Sequence, residues 1–500
     1  MRLVLLLFLM ACAPRSSPVS RVRAAADAQG PVLVLRPAQP ELFATPGALV
    51  NALADIDADG DADLFVGFNG IPNRLYRNDG GRFVDVAATA GVADARAARA
   101  AAFGDWDGDG DPDLLVGFAP GAGPVLRLYR NDGGHFTDAS AVAALNIETG
   151  AVRQPVWVDF DGDDDLDLFV AFRDRPNMLL RNSGGRLADV AAEVGLADAR
   201  RSVGAVWADL DADGDLDLIV GNMDGDANGV FRNEAGRFTD VAERWGIAWG
   251  GRTPREATNG TVRPCVDDVS GDGRLDLITA NYGMPGLFLA TADGRWTDAG
   301  ATWGIAVDGR YDSCALADVD HDGRLDLYLN GTVTQGKNWP DYLYRNTGSG
   351  FTVVTPPVLA AIPADHGAQW ADLNGDGSAD LVLAGQGPHA VMFNMLPPEV
   401  ARRSVQVRVL DARGRATRAG AEVRVYAAGT RRLLATRLVD AGSSYDSQSD
   451  LPVHFGLADP GRVDVEVTWP AHGARNVTRK RGVALGVGVV EVRTATARTR

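Results

Sequence analysis

Aspartates recur along this chain at one fixed spacing. The first set opens at Asp55 and reads Asp-Ile-Asp-Ala-Asp-Gly-Asp-Ala-Asp, with acids at positions 1, 3, 5 and 9 of a tight loop. Unscreened, such a run repels itself. Around a hard cation it supplies the oxygen donors that Ca²⁺ prefers, six to eight in all from carboxylates, carbonyls and water. The same pattern opens again at Asp105, Asp159, Asp209, Asp268, Asp318 and Asp372. Seven copies about fifty residues apart indicate a repeat architecture rather than a chance acidic run.

The candidate ligands, loop by loop, are Asp55, Asp57, Asp59, Asp63; Asp105, Asp107, Asp109, Asp113; Asp159, Asp161, Asp163, Asp167; and Asp209, Asp211, Asp213, Asp217. They continue with Asp268, Ser270, Asp272, Asp276; Asp318, Asp320, Asp322, Asp326; and Asp372, Asn374, Asp376, Asp380. Up to seven Ca²⁺ ions are expected, held most tightly by the first, second and fourth loops, whose charge is fullest. Ser270 and Asn374 keep an oxygen but lose a charge. Asp164 stands at position 6 of the third loop, where the sharp turn favours glycine; Asp reaches left-handed φ at modest cost. These are not EF-hand loops. That loop needs a chelating Glu at position 12, between helices, and here position 12 is Val66, Val116, Val170, Val220, Thr279, Leu329 or Leu383.

Each loop must therefore sit between strands. Short apolar runs such as Leu64-Phe-Val-Gly-Phe68 and Leu114-Leu-Val-Gly-Phe118 follow the acids directly, and runs of that length ended by glycine read as buried strands. In the first copy a strand (48–54) enters the loop and a second (64–68) leaves it. A third (74–77) turns through Asn78-Asp-Gly-Gly81, strong hairpin chemistry, into a fourth (82–86). Four strands per unit is a propeller blade. The seventh unit stops at Pro397-Pro398 one strand short, so Val32–Leu35 or Glu41–Phe43 is expected to complete it, closing the ring and leaving no exposed edge.

With the loop, the apolar position 2 and the following strand assembled, the repeats resemble FG-GAP (or VCBS) repeats, the blades of the integrin α-chain propeller. The stretch 101–111 followed by 116–123 carries the likeness clearly, and it extends over residues 31–396. The resemblance implies an all-β, seven-bladed β-propeller whose face opposite the Ca²⁺ loops binds partners. Residues 401–496 differ. Alternating runs at 403–410, 421–426 and 462–469 predict half-buried strands of a small antiparallel β-sheet or sandwich. Gly420-Ala-Glu-Val, Gly442-Ser-Ser-Tyr-Asp-Ser-Gln448, Val453-His-Phe-Gly-Leu457 and Val467-Thr-Trp-Pro470 resemble the ASPIC/UnbV domain, which follows FG-GAP repeats in the family that includes cartilage acidic protein. That family implies secretion, Ca²⁺ binding and a matrix or cell-surface setting, without a known reaction.

Charge divides between the two parts. The chain carries −17 overall, but residues 401–500 hold 18 Lys+Arg against 9 Asp+Glu. The acidic body argues against a nucleic-acid partner. Residues 1–12, a short basic start and an apolar run ending Leu-Met-Ala-Cys, read as an export signal too short to span a bilayer. Cys12 resembles a lipobox cysteine, with plain secretion as the alternative, and 13–30 read as a tether. The expected location is therefore exported: a cell-surface or outer-membrane lipoprotein, or a periplasmic or extracellular protein, touching membrane only through that lipid. Cys265 and Cys314 precede the acids of adjacent repeats and form either a disulfide or two buried thiols.

Catalytic signatures are sparse. The six His residues show no metal-pair spacing, and no nucleophile elbow or phosphate loop is present. His454 reads as a structural histidine bonded to backbone. Tyr445, Asp446 and Gln448 either line a polar pocket with it or hold a turn. The Trp residues read as core. The expected function is a Ca²⁺-stabilised exported scaffold for surface adhesion or for binding a protein or glycan, more a binding protein than an enzyme. Two alternatives are a carbohydrate lyase or hydrolase, which a cluster of Arg, His and Tyr at the central channel would favour, and an envelope assembly protein whose basic C-terminal domain touches acidic glycan or lipid headgroups.

Overall fold

The computed structural model describes residues 33–249 and 259–495, apart from 335, 364, 386, 443, 459, 460, 472 and 487. The expected export signal, Cys12, tether and Val32 lie outside the described residues.

Six four-stranded antiparallel meanders follow one another along the chain, and a seventh of three strands ends the series. The first is Ala48–Ala54, Asp63–Phe68, Arg74–Asp79 and Arg82–Asp85, close to the strands expected from the sequence. The innermost strand of each sheet packs on that of the next, and Asp365–Ala371 of the seventh packs on Ala48–Ala54 of the first, so the ring closes. The last sheet is completed by Leu35–Pro37, which pairs antiparallel with Ala390–Asn394. The N-terminal segment thus closes the ring, but through Leu35–Pro37, which begins at the last residue of the first expected stretch, and not through Glu41–Phe43. The protein is all-β, a seven-bladed propeller followed by a small β-domain.

The buried residues sort into seven clusters, each between two neighbouring blades. Period-two alternation is the cause. In Asp63–Phe68, Leu64, Val66 and Phe68 face the seventh blade while Phe65 faces the second. Both faces are covered, so the strand reads as a continuous apolar run. Gly67 is required by this stacking: a Cβ there would lie 2.7 Å from that of Ala98 in the next blade. Cys265 and Cys314, on the inner strands of blades five and six, form a disulfide, so the free-thiol alternative is set aside.

After Pro397 the chain forms a two-sheet sandwich. One sheet orders Leu433–Leu438, Glu422–Ala427, Val463–Ala471 and Ala474–Val483, all antiparallel. The other places Ser404–Leu410 between Val453–Gly456 and Val489–Arg493. The last of these pairs in parallel, departing from the antiparallel expectation, because it arrives from the far end of the chain by way of the first sheet. Val405, Val407, Val423, Val425, Val465, Val467 and Trp469 share the core. Among the described residues no helix is long and apolar enough to cross a membrane.

The sandwich lies on the Asp-loop face of the propeller. Arg418 and Arg415 reach the third loop, Arg475 the fourth, Arg424 the fifth and Gln406 the seventh, while His321 of the sixth donates to the Val400 carbonyl. The basic domain therefore offsets part of the charge of its own acidic body. These four arginines are engaged within the chain.

Candidate metal centres and the channel mouth

Each Asp loop is a turn with two left-handed residues, at positions 4 and 6. In the first they are Ala58 (φ 59°) and Gly60 (φ 97°); in the third, Gly162 (φ 79°) and Asp164 (φ 71°). This bend lets the position 1 carboxylate accept the N–H groups of positions 5 and 6, as Asp55 does from Asp59 (3.1 Å) and Gly60 (3.0 Å). Position 5 accepts from the N–H of position 7, as Asp59 does from Asp61 at 2.9 Å. The loop's shape is written into its own carboxylates.

The structure brings positions 1, 3 and 9 together. Asp55, Asp57 and Asp63 each present an oxygen within 4.8 Å of the others, as do Asp105, Asp107 and Asp113; Asp159, Asp161 and Asp167; Asp209, Asp211 and Asp217; and Asp318, Asp320 and Asp326. Position 5 is not part of these groups. Neither are the fifth and seventh loops, where Ser270 and Asn374 replace the position 3 acid. The sixth loop, which the charge ranking did not single out, is the most enclosed: all three of its grouped acids are buried.

Position 9 has a second task. Asp63 accepts from the Ile56 N–H (2.9 Å) and from the Asn78 N–H on the third strand (2.7 Å), tying loop to blade. Its equivalents are as deeply buried. Burial, only partly offset by those N–H donors, pushes the carboxyl up to about 7 at Asp63, 8 at Asp113, 9 at Asp167 and 8 at Asp217. Burial and the neighbouring acids push Asp318 and Asp326 well above the carboxylate range. Buried oxygens with no donor, Asp161 Oδ1 and Asp320 Oδ1, remain in the third and sixth clusters. Three acids converging with a donorless oxygen among them is a donor set that fits a hard cation.

Two partners of these loops were not foreseen from sequence. The Asn that ends the third strand of blades one, two, three, six and seven, read as turn chemistry in four of them, also joins blades. Asn131 Nδ2 donates to the Ile56 carbonyl of the preceding blade (2.9 Å) while its Oδ1 accepts from Gly134 (2.8 Å). Asn78, Asn182, Asn346 and Asn394 make the same crossing to Leu373, Trp106, Val269 and Val319. The residue before that Asn is the other partner. Arg130 lies 3.6 Å from Asp107, Arg181 3.0 Å from Asp161 and Arg345 2.8 Å from Asp320; Arg232 pairs with Asp211, and Arg77 acts on Asp57. Where position 3 is uncharged, at Ser270 and Asn374, the arginine's place is taken by Leu289 and Phe393. Charge at position 3 and the arginine come and go together, a signal that comparing the copies could have exposed.

His454 donates through Nε2 to the Gly377 carbonyl (2.9 Å), and burial pushes it down to about 3. It is structural, as expected. Gln448 is not beside it. The segment 440–450 leaves the sandwich and enters the propeller channel, where Ser447–Gln448 adds a short parallel strand to Ala98–Gly104. The Gln448 amide clasps Trp157, accepting from its N–H (2.6 Å) and donating to its carbonyl (3.0 Å). Between this segment, the sandwich and the inner strands lies a cavity of about 510 Å³, lined in part by Arg263, Trp370, Arg408 and Arg437.

The tip of the segment, Tyr445-Asp446, reaches the opposite end of the channel. Six residues ahead of each Asp opening stand Leu49, Arg99, Arg153, Val203, Val262, Asp312 and His366, one per blade. Six of them surround the tip. His366 stacks on Tyr445 at 5.6 Å and pairs with Asp312 at 2.7 Å. Arg153 lies 3.8 Å from Asp446, Arg99 acts on both tip residues, and Val203 and Val262 cluster with Met223, Tyr282 and Tyr445.

Comparison with known proteins agrees with the loops and the sandwich. A family model described as FG-GAP-like repeat matches residues 55–116, 159–220, 268–329 and 332–383, and one described as ASPIC and UnbV matches 413–485. This chain is an FG-GAP-like repeat protein with an ASPIC and UnbV domain. It is similar to cartilage acidic protein 1 of Xenopus tropicalis, 25% identical over 296 residues, covering 57% of this chain and 44% of that protein. The Homo sapiens protein is 26% identical over 296 residues, covering 57% and 43%. The FG-GAP-like chain thus spans less than half the length of these relatives. Among solved structures, an Agrocybe aegerita lectin that recognises non-reducing terminal N-acetylglucosamine overlays with a TM-score of 0.40 at 21% identity, covering 62% of this chain and 81% of that one.

Proposed function

We propose that this FG-GAP-like repeat protein is an exported, Ca²⁺-binding β-propeller scaffold that binds a protein or glycan at the cell surface through the face opposite its Asp loops. The observation that carries the metal reading is the sixth loop: Asp318, Asp320 and Asp326 are buried together within 4.8 Å. Arg345, 2.8 Å from Asp320, offsets one of the three charges and leaves the ionised trio short of positive charge. Ca²⁺ would supply the missing charge there, with the same geometry in loops one to four. The sandwich covers much of the Asp-loop face, leaving the opposite face for partners. The extracellular setting is supported by the family and its cartilage acidic protein relatives, and extracellular Ca²⁺ modules bind with Kd of about 10⁻⁴ to 10⁻³ M.

A second reading, an exported lyase or hydrolase acting on carbohydrate, draws on the Arg99, Arg153, His366 and Tyr445 cluster at the channel mouth. A thermal melt with millimolar Ca²⁺ and with chelator, alongside metal counting by mass spectrometry, tests the scaffold. Several ions per chain and a large upward shift are expected. Equal melts with no bound metal refute it.

A further inference from the structure

The channel mouth is built by both domains, and its chemistry is uneven around the ring. Blades two and three present Arg99 and Arg153; blades four and five present Val203 and Val262; blades six and seven present the Asp312–His366 pair. Tyr445 fills the centre. The buried members, Val203, Val262, Asp312 and Asp446, support from behind, while Arg99, Arg153, His366 and Tyr445 remain partly open to solvent.

The tip is held rigidly. The Ala101 N–H donates to the Asp446 carbonyl (3.1 Å), Gln154 Nε2 to the Ser447 carbonyl (2.6 Å) and the Leu53 N–H to Ser449 Oγ (3.0 Å). Asp446 adopts a left-handed φ of 51°. Its side chain is wholly buried, yet neither carboxylate oxygen has a hydrogen-bond donor, and Arg153 stands at 3.8 Å, beyond hydrogen-bond reach. Arg153 Nε is likewise buried without an acceptor. A strained residue with a donorless buried carboxylate is costly unless it serves the site it faces.

We propose that this mouth binds an acidic saccharide, the carboxylate of a uronic acid seating on Arg99 and Arg153 beside Tyr445. The inference rests on the reading that the open face is the binding face. Guanidinium groups match carboxylates in a planar, two-point fashion. A pyranose carries its carboxylate directly on the ring, so the anion and the ring face are fixed side by side. That matches an arginine pair adjoining the rings of Tyr445 and Tyr282, which Val203 and Val262 support from behind. An acidic peptide bears its carboxylate on a flexible stem and gains nothing from that adjacency. Asp446 is a positioning residue here: it draws Arg153 toward the axis from behind.

The test is calorimetry on the full, Ca²⁺-loaded chain with tetragalacturonate, using maltotetraose and tetraglutamate as comparators. Saturable binding of the uronate alone is expected, weakened at least tenfold in Arg99→Gln and in Arg153→Gln with melting temperatures unchanged. Should either variant melt low, Arg153→Lys keeps the charge and is expected to weaken binding less than Arg153→Gln. No saturable binding by the folded wild type, equal binding of maltotetraose or tetraglutamate, or indifference to the arginines overturns the proposal. If other glycans bind and the arginines do not matter, the open-face scaffold survives and only the uronate site falls. If the Ca²⁺ melt fails, the scaffold reading falls independently of this result.

Discussion

Asp164→Gly restores the residue that the turn of the third loop favours, and it separates local from tertiary reasoning. Locally the change is favourable. Position 6 has a φ of 71°, and replacing a side chain there by glycine relieves up to about 1 kcal/mol. The tertiary contacts oppose it. Asp164 Oδ1 accepts from Arg418 Nη2 at 2.5 Å, and the Arg418 side chain is only 4% exposed. Removing one partner of a buried ion pair costs about 3–5 kcal/mol, because the other charge is left uncompensated. Arg418 keeps Asp159 Oδ2 at 3.3 Å and Thr494 Oγ1 at 3.0 Å, which places the loss toward the lower end. The net expectation is a destabilisation of about 2–4 kcal/mol. For a chain this long, about 1 kcal/mol corresponds to a shift near 1 °C, so the melt should fall by about 2–4 °C if both domains unfold together. Calorimetric melts in millimolar Ca²⁺ of wild type, Asp164→Gly, Arg418→Met and the double variant form the assay. The double variant should lose less than the sum of the singles by about 1–3 kcal/mol. An Asp164→Gly melt equal to or above wild type refutes the view that this acid was placed for the C-terminal domain.

Two further outcomes follow from the same structure. Asn131→Ala removes the crossing to the Ile56 carbonyl and the cap on Gly134, leaving one buried and one partly buried backbone group unpaired. At about 1–3 kcal/mol for each group, it should cost more stability than an exposed turn Asn, and an unchanged urea midpoint contradicts the inter-blade role. His389 is 2% exposed, donates through Nδ1 to the Thr45 carbonyl (3.2 Å) and accepts at Nε2 from the Tyr76 hydroxyl (3.1 Å); burial pushes it down to about 4. Its folded pKa lies below the unfolded value of about 6.5, so its contribution is full above pH 6.5 and falls as pH drops toward 4. At pH 5 the loss is about 2 kcal/mol relative to pH 7. His389→Asn should therefore show a shallower loss of stability between pH 7 and 5 than wild type; parallel pH curves contradict it.

Much of the architecture was legible residue by residue. The acids at positions 1, 3 and 9, the apolar run behind them and the Asn-Asp-Gly turn are local patterns, each set by backbone geometry within a dozen residues. Seven repetitions made the propeller readable, and a last unit lacking one strand made the closing role of the N-terminal segment readable too. The alternating valines after residue 400 announced a sandwich for the same reason. What the pattern could not state was who meets whom. Asp164 looked like a flawed turn residue until Arg418, 254 positions away, was seen to pair with it. Asn131 looked like hairpin chemistry until its side chain was found on the preceding blade.

The charge partition, acidic body and basic tail, was plain in the sequence, but only the folded chain showed the two parts meeting on the Asp-loop face. Tyr445 and Asp446 were visible as a motif, and their seat at the far end of the channel was not. The sequence by itself determined the repeat, its recurring acids and the number of blades, because those depend on neighbours along the chain. Tertiary structure alone decided the docking side, the plugged channel and the ring of Arg99, Arg153, Asp312 and His366. Those groups come from different blades, and only closure of the ring brings them to one axis.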